Sequence, residues 1–117
     1  MANYLDIDRI MRERIMDEGT LPTAHVKLLT RLKEELRGEM VGIVQKRAGL
    51  KDVKAWLKGK SDYFYKILEN ETIEPATQLY KIIKQIADAA IHFVAEYRIA
   101  INDERKGGGK ICLIAGS

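Results

Sequence analysis

The feature that most constrains the fold is an apolar stripe toward the C-terminal end of the 117 residues. Leu79, Ile83, Ile86, Ala90, Phe93, Tyr97 and Ala100 recur at alternating four- and three-residue steps, which aligns them along one side of an α-helix as a heptad seam. Pro75 suits the first turn of such a helix, where an amide has no partner to lose. Gly107-Gly108-Gly109 ends it, so the spacing predicts a helix from about 75 to 104. At 1.5 Å per residue that helix is about 45 Å long, and it overshoots a domain of this size, whose diameter is nearer ~30 Å. Ile82, Ile91, Val94 and Ile101 widen the stripe, so that one flank can pack inward while the other faces out. An outward apolar flank needs a partner. The expectation is a homodimer built on Leu79, Ile83, Ile86, Ala90, Phe93 and Tyr97. A first helix carrying Ile7, Met11 and Ile15 is the alternative cover for the same seam.

The rest of the chain reads as helix too. Leu, Ile, Lys, Glu and Ala are abundant and only 2 prolines occur. A first helix spans about 4–18, with Gly19 as its stop. Thr20 or Thr23 caps a second helix over about 24–46, whose stripe is Leu28, Leu29, Leu32, Leu36, Met40, Ile43 and Val44. Gly38 and Gly42 weaken it and mark a kink or a close approach. Ala48-Gly49-Leu50 terminates it. Two short helices follow, 51–58 and about 62–69, separated by a tight turn at Gly59-Lys60-Ser61 with Ser61 as N-cap. The fold class is therefore all-α. One helical domain covers 1–106, and a glycine-hinged tail covers 107–117, its apolar Ile111 to Ala115 forming a strand or docking peptide.

Several function classes are excluded. No apolar run approaches the ~18 residues that cross a bilayer. The N-terminus lacks a signal pattern, so no membrane partner and a cytoplasmic location are expected. Cys112 is the single cysteine, so no intrachain disulfide forms. With only His25 and His92 beside it, no zinc site of ordinary spacing can be assembled. Gly107 to Lys110 is no phosphate loop, because Ile111 follows the lysine where Ser or Thr is required. No nucleophile–base pair is visible, and neither an enzyme nor a cofactor is implied.

Charge is where the chain is distinctive. Net charge is only +3, yet Lys46, Arg47, Lys51, Lys54, Lys58, Lys60 and Lys66 crowd one short segment against Asp52 and Asp62. Such asymmetry is the usual footprint of a polyanion partner, with a solvated lysine face as the plainer reading. The same segment has the spacing of a helix-turn-helix: Ala55 for close approach, Gly59 for the turn, Tyr65 and Leu68 as core anchors. Downstream, Asn70 to Leu79 with Pro75, then Lys81-Ile82-Ile83, lead into the long helix. Over residues 28–87 the chain thereby resembles lambda-repressor and Cro-like DNA-binding domains, although Lys54, Lys58 and Lys60 stand where that family has apolar residues. A second register, with Met40 to Arg47 as positioning helix and Lys51 to Lys58 as recognition helix, is also open.

The resemblance implies a helix-turn-helix at about 51–69 that binds double-stranded DNA as a sequence-specific transcriptional regulator. The expected DNA-binding residues are Lys51, Lys54, Lys58, Lys60, Ser61, Asp62, Tyr63 and Lys66. The lysines would hold phosphates, while Ser61, Asp62 and Tyr63 reach base edges. Trp56 is expected in the core. The alternative function is a helical adaptor or assembly protein acting through its long last helix.

Overall fold

The structure, a computed structural model, describes residues 3–70, 73–74, 77–105 and 111–113. Its elements in chain order are β1 (Asn3–Leu5), α1 (Ile7–Arg14), α2 (Thr23–Lys46), α3 (Leu50–Asn70), α4 (Gln78–Arg105) and β2 (Ile111–Leu113). The fold is all-α, as the composition predicts. Two three-residue strands pair in parallel and clip the ends of the described chain together, Tyr4 opposite Cys112.

The long helix is the spine. Leu79, Ile82, Ile83, Ile86, Ala90, Phe93 and Tyr97 are all buried, and α1, α2 and α3 each pack against α4. The spacing correctly identifies a continuous apolar stripe, but the chain covers that stripe itself. Ile7 and Ile10 of α1, Leu32, Leu36 and Met40 of α2, and Val53 and Phe64 of α3 bury it from three sides. Each fully buried large side chain contributes on the order of 1.5–3 kcal/mol. The overshoot expected of a 45 Å helix does not arise either. The molecule is elongated, 48 × 26 × 20 Å, and its long dimension accommodates α4.

The main departure lies in α3. The tight turn expected at Gly59-Lys60-Ser61 is absent, and residues 50–70 form one helix. Gly59 lacks the positive φ that such a turn would need, which among the described glycines only Gly19 has, at 65°. The physical reason is that the inward-facing positions keep helical phase across Gly59. Val53, Trp56, Lys60, Phe64 and Ile67 step by three and four without a break, with Leu57 beside Trp56. A glycine in a helix interior costs only about 1 kcal/mol, less than the burial that continuity preserves.

Smaller departures have local causes. α1 ends at Arg14 rather than near residue 18, and it is capped by Asp6, whose carboxylate accepts from the Arg9 amide at 3.0 Å. α2 starts after Pro22 with no side-chain cap. Its end is made by Arg47, not Gly49. Arg47 adopts φ 53°, and the Ala48 amide donates back to the Ile43 carbonyl at 3.1 Å, the six-to-one bond of a Schellman ending. Gly38 and Gly42 sit in an uninterrupted α2 with nothing within 4 Å of an added Cβ, so neither marks a close approach. α4 starts at Gln78 rather than about 75, where the Thr77 hydroxyl accepts from the Tyr80 amide at 3.3 Å; Pro75, expected in its first turn, lies outside the described residues. Of the tail, Ile111–Leu113 form a strand on β1, while 106–110 and 114–117 lie outside the described residues.

Candidate nucleic-acid interface

The basic segment begins where α2 stops. Lys46 closes the helix, Arg47 turns the chain, and Leu50 opens α3. The corner is rigid for identifiable reasons. Tyr97, buried in α4, donates its hydroxyl to the Ala48 carbonyl at 2.7 Å. Its ring stacks on Phe93 at 5.8 Å, and Phe93 meets the edge of Trp56 at 5.9 Å. A chain of three aromatics thus ties the α2–α3 corner to α4. Burial pushes the Tyr97 hydroxyl above its ordinary pKa, with the Arg47 charge opposing in part.

Along α3 the cations divide into two sets. Lys51, Lys54 and Lys58 are exposed and share one side of the helix at steps of three and four. Lys66 is exposed two turns farther on, with the exposed Asp62 between. Lys46 and Arg47 extend the exposed set onto the end of α2. Among the described residues, Lys46, Lys51, Lys54, Lys58 and Lys66 form no ion pair. The other set is one residue. Lys60 is only 9% exposed, its Nζ 3.2 Å from the Glu39 carboxylate and 4.6 Å from the centre of the Tyr63 ring. The other Glu39 oxygen accepts from Trp56 Nε1 at 2.7 Å. Lys60 is therefore an internal tie between α3 and α2, which removes it from the DNA-binding set. It occupies a position where the resemblance expects an apolar residue, and it meets that demand by burying its stem and pairing its head.

The base-reading set is dispersed as well. Tyr63 is half-buried, and its hydroxyl donates to Glu35 at 3.2 Å. Burial, followed by the Glu35 charge, raises its pKa. Ser61 is half-buried beside the α3–α4 groove, and only Asp62 of the three is exposed. None of them stands at a helix N-terminus, because no helix begins there. The bihelical unit of the first register is not formed, because residues 50–70 are one rod; the junction of the second register is present, since α2 ends at Lys46 and α3 opens at Leu50, although both helices run well beyond 40–47 and 51–58. The dimer residues Leu79, Ile83, Ile86, Ala90, Phe93 and Tyr97 are core and offer no surface to a second chain.

Trp56 packs against the core as expected. His92 lies 3.2 Å from Arg14 and 3.3 Å from Glu96, within an ionic clamp between α1 and α4. That clamp also includes Arg9 to Glu96 at 2.8 Å, while Arg37 to Asp8 at 2.8 Å and Lys33 to Glu18 fasten the N-terminal segment to α2. No group of three metal-ligating side chains occurs among the described residues, and no described helix is long and apolar enough to cross a membrane. The roles of Glu35 and Glu39 were not readable in the sequence. Their one-turn spacing on α2 is ordinary, and only the docking of α3 brings Trp56, Lys60 and Tyr63 to them. Comparison of the chain with protein-family models, curated proteins and solved structures yields no match.

Proposed function

We propose that this protein binds double-stranded DNA through the lysine side of α3 and the adjoining end of α2, with its contacts made to phosphates. One observation carries the reading: Lys46, Lys51, Lys54 and Lys58 are exposed and free of ion pairs among the described residues, on a corner braced by Tyr97. Lysines held this way release counterions on meeting a polyanion and place no demand on base sequence. Sequence-selective regulation of transcription, the role the resemblance implies, requires base contacts in addition. Comparing random with genomic duplexes decides between the two.

The test is duplex binding followed by fluorescence anisotropy across a salt series. Wild-type protein should bind random duplex at low salt. Replacing Lys51, Lys54 and Lys58 together by Ala should flatten the log–log salt slope by about three. Lys60→Ala should leave that slope unchanged, since Lys60 faces Glu39. Absence of binding at low salt, or a slope indifferent to the triple substitution, overturns the reading. The adaptor alternative has one observation of its own, the exposed Tyr65 and Ile91 beside the α3–α4 groove.

A further inference from the structure

A shallow groove runs between the C-terminal half of α3 and the N-terminal half of α4. Its floor and walls are mainly apolar, including Leu68, Tyr80 and Ala87. Two large apolar side chains stand at it largely in solvent, Tyr65 at 67% and Ile91 at 51% exposure. The core does not need them: the inner face of α3 uses Val53 and Phe64, and that of α4 uses Ile83 and Ile86. Exposed aromatic and aliphatic groups flanking a concave apolar surface are the pattern of an interface.

The charges on this groove identify the occupant. Lys84 and Asp88 are exposed one turn apart on α4. Among the described residues neither has an ion-pair partner, and they do not pair with each other; Lys84 rests 5.7 Å over the Tyr80 ring. We propose that a second copy of this chain docks here, about a two-fold axis crossing α4 between Lys84 and Asp88. Antiparallel α4 helices then bring each Lys84 to the partner's Asp88, giving two symmetric ion pairs around Ala87, whose short side chain lets the helices approach. A parallel arrangement would set lysine against lysine. The surface is complementary to itself, which is what a two-fold interface requires. The axis lies well along α3 from Lys51, Lys54 and Lys58, so dimerisation and DNA binding are separable readings.

The experiment is sedimentation equilibrium of the full chain from about 1 µM to about 0.1 mM. Wild type should show a monomer–dimer equilibrium in that range. Lys84→Asp, or Asp88→Lys, creates two like-charge contacts per dimer and should weaken association by about tenfold or more. The double swap, Lys84→Asp with Asp88→Lys, restores opposite charges across the axis and should recover dimerisation to within a few-fold of wild type. The swapped pair also keeps opposite charges at i and i+4 within the helix, so α4 itself is not weakened. Tyr65→Ala tests the apolar part and should weaken association without loss of helical circular dichroism. A monomeric wild type at the highest concentration, indifference to single reversal, or a double swap as weak as the singles overturns the proposal.

Discussion

At the residue scale, two side chains decide what the α2–α3 corner can be. Lys60 shows how a cation can leave a binding surface: it is surrounded by Glu39, Tyr63 and Phe64, and its charge is answered inside the chain. Tyr97 works oppositely, as a buried polar group whose one bond holds the corner in place. Tyr97→Phe leaves the Ala48 carbonyl without this donor and should cost about 1 kcal/mol, read as a lower midpoint in urea. It should also change the alkaline limb. Burial raises the Tyr97 pKa, so below the unfolded value of about 10 both states keep the proton and the stabilisation is whole. As pH rises past that value the unfolded chain ionises first, and stability falls until the folded hydroxyl also titrates. The Phe variant should therefore lose stability less steeply above pH ~10 than wild type does.

At the element scale, the continuity of α3 has a direct test. An added Cβ at Gly59 would meet nothing within 4 Å, and Gly59 has ordinary helical φ. Gly59→Ala should raise stability by roughly 0.5–1 kcal/mol, because alanine has less freedom to lose in a helix interior. A tight turn with left-handed Gly59 makes the opposite demand, since a Cβ there is strained. Thermal melts of this one variant separate a single helix from a helix-turn-helix. The contrast was hard to read from sequence. Ala55, Gly59, Tyr65 and Leu68 satisfy the spacing of the bihelical motif, yet the same stretch satisfies a continuous helix from Val53 to Ile67. Spacing favours both, and glycine only permits the turn without requiring it.

At the scale of the whole molecule, the lysine cluster and the exposed apolar groove occupy different places. Lys46, Lys51, Lys54 and Lys58 cluster at the α2–α3 corner and the first half of α3, while Tyr65 and Ile91 lie by the groove farther along. Phosphate binding at the corner and self-association at the groove therefore make different predictions under salt. Raising ionic strength should weaken DNA binding in proportion to the lysines engaged. Its effect on dimerisation should be smaller, because only the two ion pairs beside the axis are screened while the apolar contact is not. Measuring both against salt on one preparation checks that separation. The N-terminal segment contributes by closing the spine: its ion pairs with Arg37, Lys33 and Glu96 fix α1 over the stripe of α4 that would otherwise face outward.

The helical class, the long final helix with its apolar stripe, and the concentration of lysine between residues 46 and 66 are legible in the chain alone. These follow from periodicity and composition, which are local and survive in any packing. What covers the stripe, whether Gly59 bends, and which lysines remain in water are set by packing. Each of those depends on residues far apart in the chain: α1 reaching α4, Glu39 receiving Trp56 and Lys60, Tyr97 meeting Ala48. A hydrophobic seam reads the same whether its partner is a second molecule or the chain's own first helix. A lysine likewise reads the same whether its head meets solvent or a carboxylate twenty-one residues away in sequence. Burial is a property of the packed whole, so the division of the lysines into binders and ties appears only when α3 is laid against α2.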